Sequence, residues 1–286
     1  MASTKYKISG HEKFPFRDGW LTKGICLLKD ENCDASIFNE RNAADKLGVG
    51  SNMVKSIRYW MTACGLLEKS GNKQVLSQLA EWIYEYDMYF EDDFTWWLIH
   101  SNLVKNKEDA AVWNIFFNMT DIESFEKEEV ERAINKELSV LINSEYSEKS
   151  VKDSLDVLLN MYSKVMRRAD DPEDKNVCPL SMLGLIKRDG GSYVITQPDM
   201  RKIKEDLVLY ELADMFEEED SLSIDKIYSG ENGLGNIYHL TRTQVNQFLD
   251  LLEDNGYIKV NRTAGLDVVY PINMPAKSTI ICNHYK

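Results

Sequence analysis

Long apolar runs are missing from this chain. Its 286 residues contain no stretch of eighteen or more consecutive apolar residues, so no segment reads as a membrane-spanning helix. The first ten residues are polar and hold no apolar core of a secretory signal. Cysteine is sparse: Cys26, Cys33, Cys64, Cys178 and Cys282 are odd in number and scattered, with no Cys-x-x-Cys pair and no Cys/His ligand spacing. This argues against a structural zinc site and fits a reducing, cytoplasmic setting. The chain also lacks a phosphate-cradling Walker loop, a dinucleotide fingerprint and a Gly-x-Ser-x-Gly elbow. Gly230 to Gly235 is glycine-rich, but it follows no clear strand and reads as a turn.

Positive charge is short too. The formal net charge is −13, which opposes binding to phosphate, because such contacts need Lys and Arg. The deficit is uneven. Residues 1–73 carry 12 Lys and Arg against 8 Asp and Glu, a net of +4, and the remainder is −17. Acid concentrates at Glu126–Glu137 and Glu217–Asp220, where solvated helix faces account for it. A mildly basic head on an acidic body could meet DNA through one face.

What is present is periodicity. Trp20, Leu21, Ile25 and Leu28 share a helical face. Glu40 to Leu47 is a short helix pattern, Gly48-Val49-Gly50 a turn, and Ser51 or Asn52 a candidate N-cap. Val54, Ile57 and Met61 then recur at helical spacing, Gly65 can end the helix, and Gly71-Asn72 can turn a hairpin. Helix, tight turn, helix and two-stranded wing is the winged helix-turn-helix order. The layout returns near the C-terminus. Thr241 or Thr243 can cap a helix bearing Val245, Phe248 and Leu252, Gly256 stops it, and strands follow at Tyr257–Val260 and Val268–Tyr270 around a wing tip at Arg262–Asp267. Val54 to Gly65 and Val245 to Gly256 have the same length, aligning Ile57 with Phe248 and Met61 with Leu252.

Between the two copies, Leu79 to Phe117 holds Trp82, Trp96, Trp97 and Trp113 among apolar residues at helical intervals. A base-stacking platform is one reading, and packing into a core is the better one. Glu123 to Met166 reads as two or three amphipathic helices, Asp170 to Asn176 as an acidic loop, and Cys178 to Ile195 as a short helix and hairpin turning at Asp189-Gly190-Gly191. Leu207 to Phe216 is a further helix. The expected fold class is mainly α, with two winged helix-turn-helix units flanking a helical middle. The expected divisions are residues 1–120, 121–216 and 217–286.

Three groups of side chains carry candidate chemistry. Ser51, Asn52, Lys55, Ser56, Arg58 and Tyr59 sit on the polar side of the first recognition-type helix, where such groups suit phosphate and base-edge contacts. The second copy offers Arg242, Thr243, Gln244, Asn246 and Gln247, with Arg262 on the wing, beside Asp250, Glu253 and Asp254. His11, Glu12, Arg17 and Lys23 form the densest remaining cluster, able to serve proton transfer and charge stabilisation on a phosphodiester, or to be a structural loop. Carboxylate runs at Glu91-Asp92-Asp93 and Asp170-Asp171 match no metal-nuclease spacing.

The run Gly10-His11-Glu12-Lys13-Phe14-Pro15-Phe16-Arg17-Asp18-Gly19-Trp20-Leu21-Thr22-Lys23-Gly24 resembles the opening signature of a bacterial family encoded beside PAPS-reductase-like proteins in DNA phosphorothioation and phage-defence loci. It is similar to SspB-like DNA-nicking components. The order along the chain agrees: signature, Gly48 to Val54 at the second helix, the Trp96-Trp97 segment, then Cys178-Pro179. The resemblance implies a DNA-binding component that nicks one strand for a sulfur-inserting partner, with PAPS-reductase-like and ATPase proteins of the same locus as partners. It also implies catalytic roles at His11, Glu12, Arg17 and Lys23, and a divalent metal if nicking occurs. The alternatives are a non-enzymatic DNA-binding regulator or adaptor, and a protein-interaction module favoured by the acidic body.

Overall fold

The computed structural model describes residues 6–30, 33–119, 123–142, 145–164, 177–265 and 267–286. The acidic loop expected at Asp170–Asn176 and the Asp170-Asp171 pair lie outside them. The described residues are mainly helical, with three small sheets among them. The chain divides into two compact units: Met1–Phe117 with Ile122–Thr196, and Asn118–Asp121 with Gln197–Lys286. The three spans expected from the sequence partition the chain differently. Among the described residues the five cysteines form no disulfide, and no helix is long and apolar enough to cross a membrane.

The first unit opens with the signature loop and α1 (Trp20–Asp30). Trp20, Leu21, Ile25 and Leu28 are all buried, as their spacing predicts. A 3-10 turn (Ala35–Asn39) leads to α2 (Ala43–Leu47) and α3 (Ser51–Ala63). α1 packs closely on α3 because residue 24 is glycine: a Cβ there would stand 2.1 Å from Met61 Sδ, a distance that no side chain can occupy. The hairpin of β1 (Leu67–Ser70) and β2 (Lys73–Leu76) follows, paired from Leu67↔Leu76 to Ser70↔Lys73. Helices α4 (Gln78–Tyr86), α5 (Asp93–Lys105) and α6 (Ala111–Asn118) carry Trp82, Trp96, Trp97 and Trp113. Trp96, Trp97 and Trp113 are buried and Trp82 is half-buried, so core packing is what these rings do.

The unit continues through β3 (Ser124–Phe125), α7 (Lys127–Leu141) and α8 (Glu148–Ser163) to a 3-10 turn at Pro179–Leu183. The hairpin β4 (Ile186–Asp189) and β5 (Ser192–Ile195) turns at Gly190-Gly191, as expected. β3 adds to β5, giving the order β3-β5-β4.

The second unit holds α9 (Glu205–Met215), β6 (Leu222–Ser223), α10 (Ile224–Ser229), α11 (Leu234–Tyr238), α12 (Arg242–Asp254), β7 (Ile258–Asn261), β8 (Val268–Pro271) and α13 (Lys277–His284). Its sheet order is β6-β8-β7. Glu211 of α9 is fully buried and accepts a hydrogen bond from Tyr238 Oη at 2.6 Å, fixing the end of α11 just before the left-handed turn at His239. α12 starts in a capping box: Thr241 Oγ1 accepts from Gln244 N–H, and Gln244 Oε1 accepts from Thr241 N–H.

Both expected helices end where their glycines stand, at Gly65 (φ +71°) and Gly256 (φ +77°), and each is followed by a hairpin. One alignment fails. Ile57 is fully buried, but Phe248 is only half-buried, and the α12 core face is Val245, Leu249 and Leu252. The inner face of α12 runs by steps of four and three through Val245, Leu249 and Leu252, and Phe248 lies beside it.

Candidate nucleic-acid interface

α3 is held from behind by the signature loop. Ser56 Oγ donates to the His11 carbonyl at 3.0 Å, and Trp60 Nε1 donates to the Phe14 carbonyl at 2.9 Å. One helical turn separates Ser56 from Trp60, so both point inward. Tyr59 lies against Gly10, where a Cβ would meet its ring at 2.5 Å, and its hydroxyl donates to the Asp109 carbonyl at 2.9 Å. Ser56 and Tyr59 are therefore buried, which corrects their expected place on the outward face.

His11 is the centre of this clamp. It is buried, stacked on Trp60 at 5.9 Å and edge-on to Tyr59 and Trp113. Its Nδ1 accepts from Lys13 N–H at 3.1 Å, which leaves Nε2–H to donate to Ser154 Oγ at 2.8 Å. Ser154 in turn donates to the Ile8 carbonyl. Burial lowers the imidazole pKa to about 4; nearby Asp153 opposes the shift and Lys13 adds to it. At neutral pH the ring is uncharged, as the relay of hydrogen bonds requires.

The other signature residues engage different partners. Arg17 lies over the Trp20 ring at 5.7 Å. Lys23 Nζ donates to the Leu47 carbonyl at 2.9 Å, capping the C-terminus of α2, where a cation is favoured. Glu12 is exposed, at φ +49°. Neighbouring Lys13 pairs with Asp153 of α8 at 2.9 Å.

With the inner face of α3 gripped, its outer face is set. Ser51, Asn52 and Lys55 are exposed at one-turn spacing. Arg58 is half-buried and braces the element: Nη1 donates to Asn39 Oδ1 at 2.9 Å and Nη2 to Gln74 Oε1 at 3.1 Å, tying α3 to the 3-10 turn and β2. Arg41, Lys55 and Lys69 are exposed without an ion-pair partner among the described residues. Arg41 and Lys69 are absent from the sequence-based candidates; their position on the turn before α2 and on β1 is the signal that could have found them.

The second copy differs in charge. Arg242 pairs with Asp225 and, at 3.8 Å, with Asp267. Arg262 donates to Asp250 at 2.6 Å and Asn246 at 3.1 Å. Lys259 pairs with Glu253 at 2.7 Å. Gln244 is engaged in the capping box, leaving Thr243 and Gln247 exposed beside Asp250 and Asp254.

Among the described residues no three His, Cys, Asp or Glu side chains group as a cation site. Asp87 accepts from Glu91 N–H, Asp92 N–H and Thr95 Oγ1, and Asp92 caps α5 through Phe94 N–H. These carboxylates organise a helix start.

No curated protein matches the chain. Two solved structures do, described as the magnesium ion-bound SspB crystal structure and the SspB crystal structure. Their TM-scores are 0.86 and 0.85, each at 20% identity over 99% of this chain and 88% of the other. At that identity the likeness is one of fold. Residues 8–285 match the family DUF4007, described as protein of unknown function, and the chain belongs to that family.

Proposed function

We propose that this protein is a DNA-binding component of a phosphorothioation-type modification or anti-phage defence system, and that α2, α3 and the β1–β2 hairpin act as a winged helix on duplex DNA. The observation that carries the reading is the outer face of α3: Ser51, Asn52 and Lys55 are exposed, and Arg41 and Lys69 of the same basic head are exposed with no ion-pair partner among the described residues. Short polar side chains and a lysine at the start of such a helix suit base edges and phosphates. The likeness to SspB supports the system, and the resemblance carried by the signature run implies PAPS-reductase-like and ATPase proteins as partners.

The signature loop serves this surface as a positioning device: neutral, buried His11 locks the loop to α8, and the loop locks α3. Magnesium belongs to one of the similar SspB structures. A second reading, an adaptor that recruits proteins through the second unit, is favoured by the neutralised cations of α12 and its wing. Incubating supercoiled plasmid with the protein and magnesium separates the outcomes. Retarded but still supercoiled plasmid supports binding, open circles add nicking, and unretarded plasmid at low salt overturns the DNA reading.

A further inference from the structure

Among the described residues the hairpin device that ends the α3 unit occurs three times, and the middle copy lies in a segment that the sequence pattern marks only as a short helix and hairpin. Gly65-Leu66-Leu67-Glu68-Lys69-Ser70-Gly71 corresponds to Gly184-Leu185-Ile186-Lys187-Arg188-Asp189-Gly190. Both opening glycines are left-handed, at φ +71° and +69°. In each, the residue after the second strand closes the hairpin with two bonds. Ser77 N–H donates to the Leu66 carbonyl at 3.0 Å and Thr196 N–H to the Leu185 carbonyl at 2.9 Å. The Ser77 hydroxyl donates to the Gly65 carbonyl, as the Thr196 hydroxyl does to that of Gly184. The third copy keeps the frame at Gly256 (φ +77°), with Ile272 N–H donating to the Tyr257 carbonyl at 2.9 Å. The middle and last copies share a further feature: a short leading strand pairs with the second hairpin strand, in the orders β3-β5-β4 and β6-β8-β7.

The middle copy lacks the helix that would read bases. Where α3 and α12 run thirteen residues each, the segment before Gly184 is a five-residue 3-10 turn starting at Pro179, too short to lie along a major groove. Its wing is intact and basic. The side chains of Lys187 and Arg188 are exposed and have no ion-pair or hydrogen-bond partner among the described residues, in a part of the chain whose net charge is strongly negative. At the tip, Gly190 and Gly191 are open: a Cβ added at either would meet nothing within 4 Å, so a phosphate can approach the backbone closely.

We propose that the β4–β5 hairpin is a second DNA-contacting element of the first unit, a wing without a recognition helix, which grips the phosphate backbone through Lys187 and Arg188 and reads no sequence. The proposal rests on the DNA-binding reading above. Each phosphate contact contributes about −0.9 to the slope of log affinity against log salt. The double variant Lys187→Ala/Arg188→Ala should therefore lower the slope by up to about 1.8, and affinity at 0.1 M salt by up to roughly 60-fold.

Fluorescence anisotropy with two unrelated duplex DNAs tests this, with thermal melting as the check on folding. The expected result is an equal loss on both duplexes, an unchanged melting temperature, recovery of charge-dependent affinity in Lys187→Arg/Arg188→Lys, and no effect of Lys136→Ala, an exposed lysine on α7. If Lys55→Ala/Lys69→Ala lowers the slope but the hairpin variant does not, the middle wing is no DNA contact and only this inference falls. A loss on one duplex alone overturns the backbone-only reading. If the wild-type protein binds neither duplex, this inference and the DNA reading fall together.

Discussion

The α3 and α12 units share an order of elements and differ in what happens to their cations. Lys55 and Lys69 have no ion-pair partner among the described residues, while Arg242, Arg262 and Lys259 are each held by a carboxylate of their own unit. A phosphate contacting Arg242 would have to displace Asp225 and tolerate the freed acid nearby. A phosphate contacting Lys55 has no such carboxylate to displace among the described residues. Likeness of secondary structure therefore says little about DNA binding until the charge partners are known.

The comparison can be broken first at the cores, where the effects are largest. Ile57→Ala and Leu249→Ala each remove a fully buried branched side chain and should cost about 2–5 kcal/mol in denaturant titrations. Phe248→Ala should cost clearly less than Leu249→Ala, because Phe248 is half-exposed. Equal losses at 248 and 249 would mean that the α12 face has been assigned one residue out of step.

The clamp behind α3 has a pH signature of its own. The unfolded His11 titrates near 6.5 and the folded one near 4. Between those values the unfolded chain binds a proton that the folded chain does not. Stability from this group is complete above pH 6.5 and is lost as pH falls toward 4, by roughly 3 kcal/mol. His11→Gln should flatten the measured stability slope in that window by up to one proton. An unchanged slope would mean that the ring is not buried neutral.

The start of α12 gives a smaller effect. Thr241→Ala removes half of the capping box and should cost about 1 kcal/mol. Ser51→Ala on α3 should cost much less, because Gly50 is the N-cap there and Ser51 is exposed.

How much of this is legible in the sequence follows from range. Helix spacings and the stops at Gly65 and Gly256 are legible because apolar period and left-handed glycine act within a few residues. The two-residue strands β3 and β6 leave no periodic trace, since each is defined by a partner far along the chain. On α3, the outward positions of Ser51, Asn52 and Lys55 agree with the helical pattern. The inward turn of Ser56 and Tyr59 does not follow from it, because a hydroxyl and a phenol are drawn in by carbonyls of His11 and Asp109. His11 looks like chemistry in sequence, and its partner Ser154 lies on α8 with no local signal linking the two. The neutralisation of Arg242 likewise depends on Asp225 and Asp267, which a helix projection cannot bring together.

The salt dependence of duplex DNA affinity, measured side by side for the wild-type protein, Lys55→Ala/Lys69→Ala and Arg242→Ala/Arg262→Ala, tests the central claim most directly. The account predicts that the first pair lowers the slope by up to about 1.8 and that the second leaves it unchanged, with melting temperatures confirming that both variants fold. A slope lowered by the Arg242/Arg262 pair and untouched by the Lys55/Lys69 pair would place the DNA on the other unit and contradict the account.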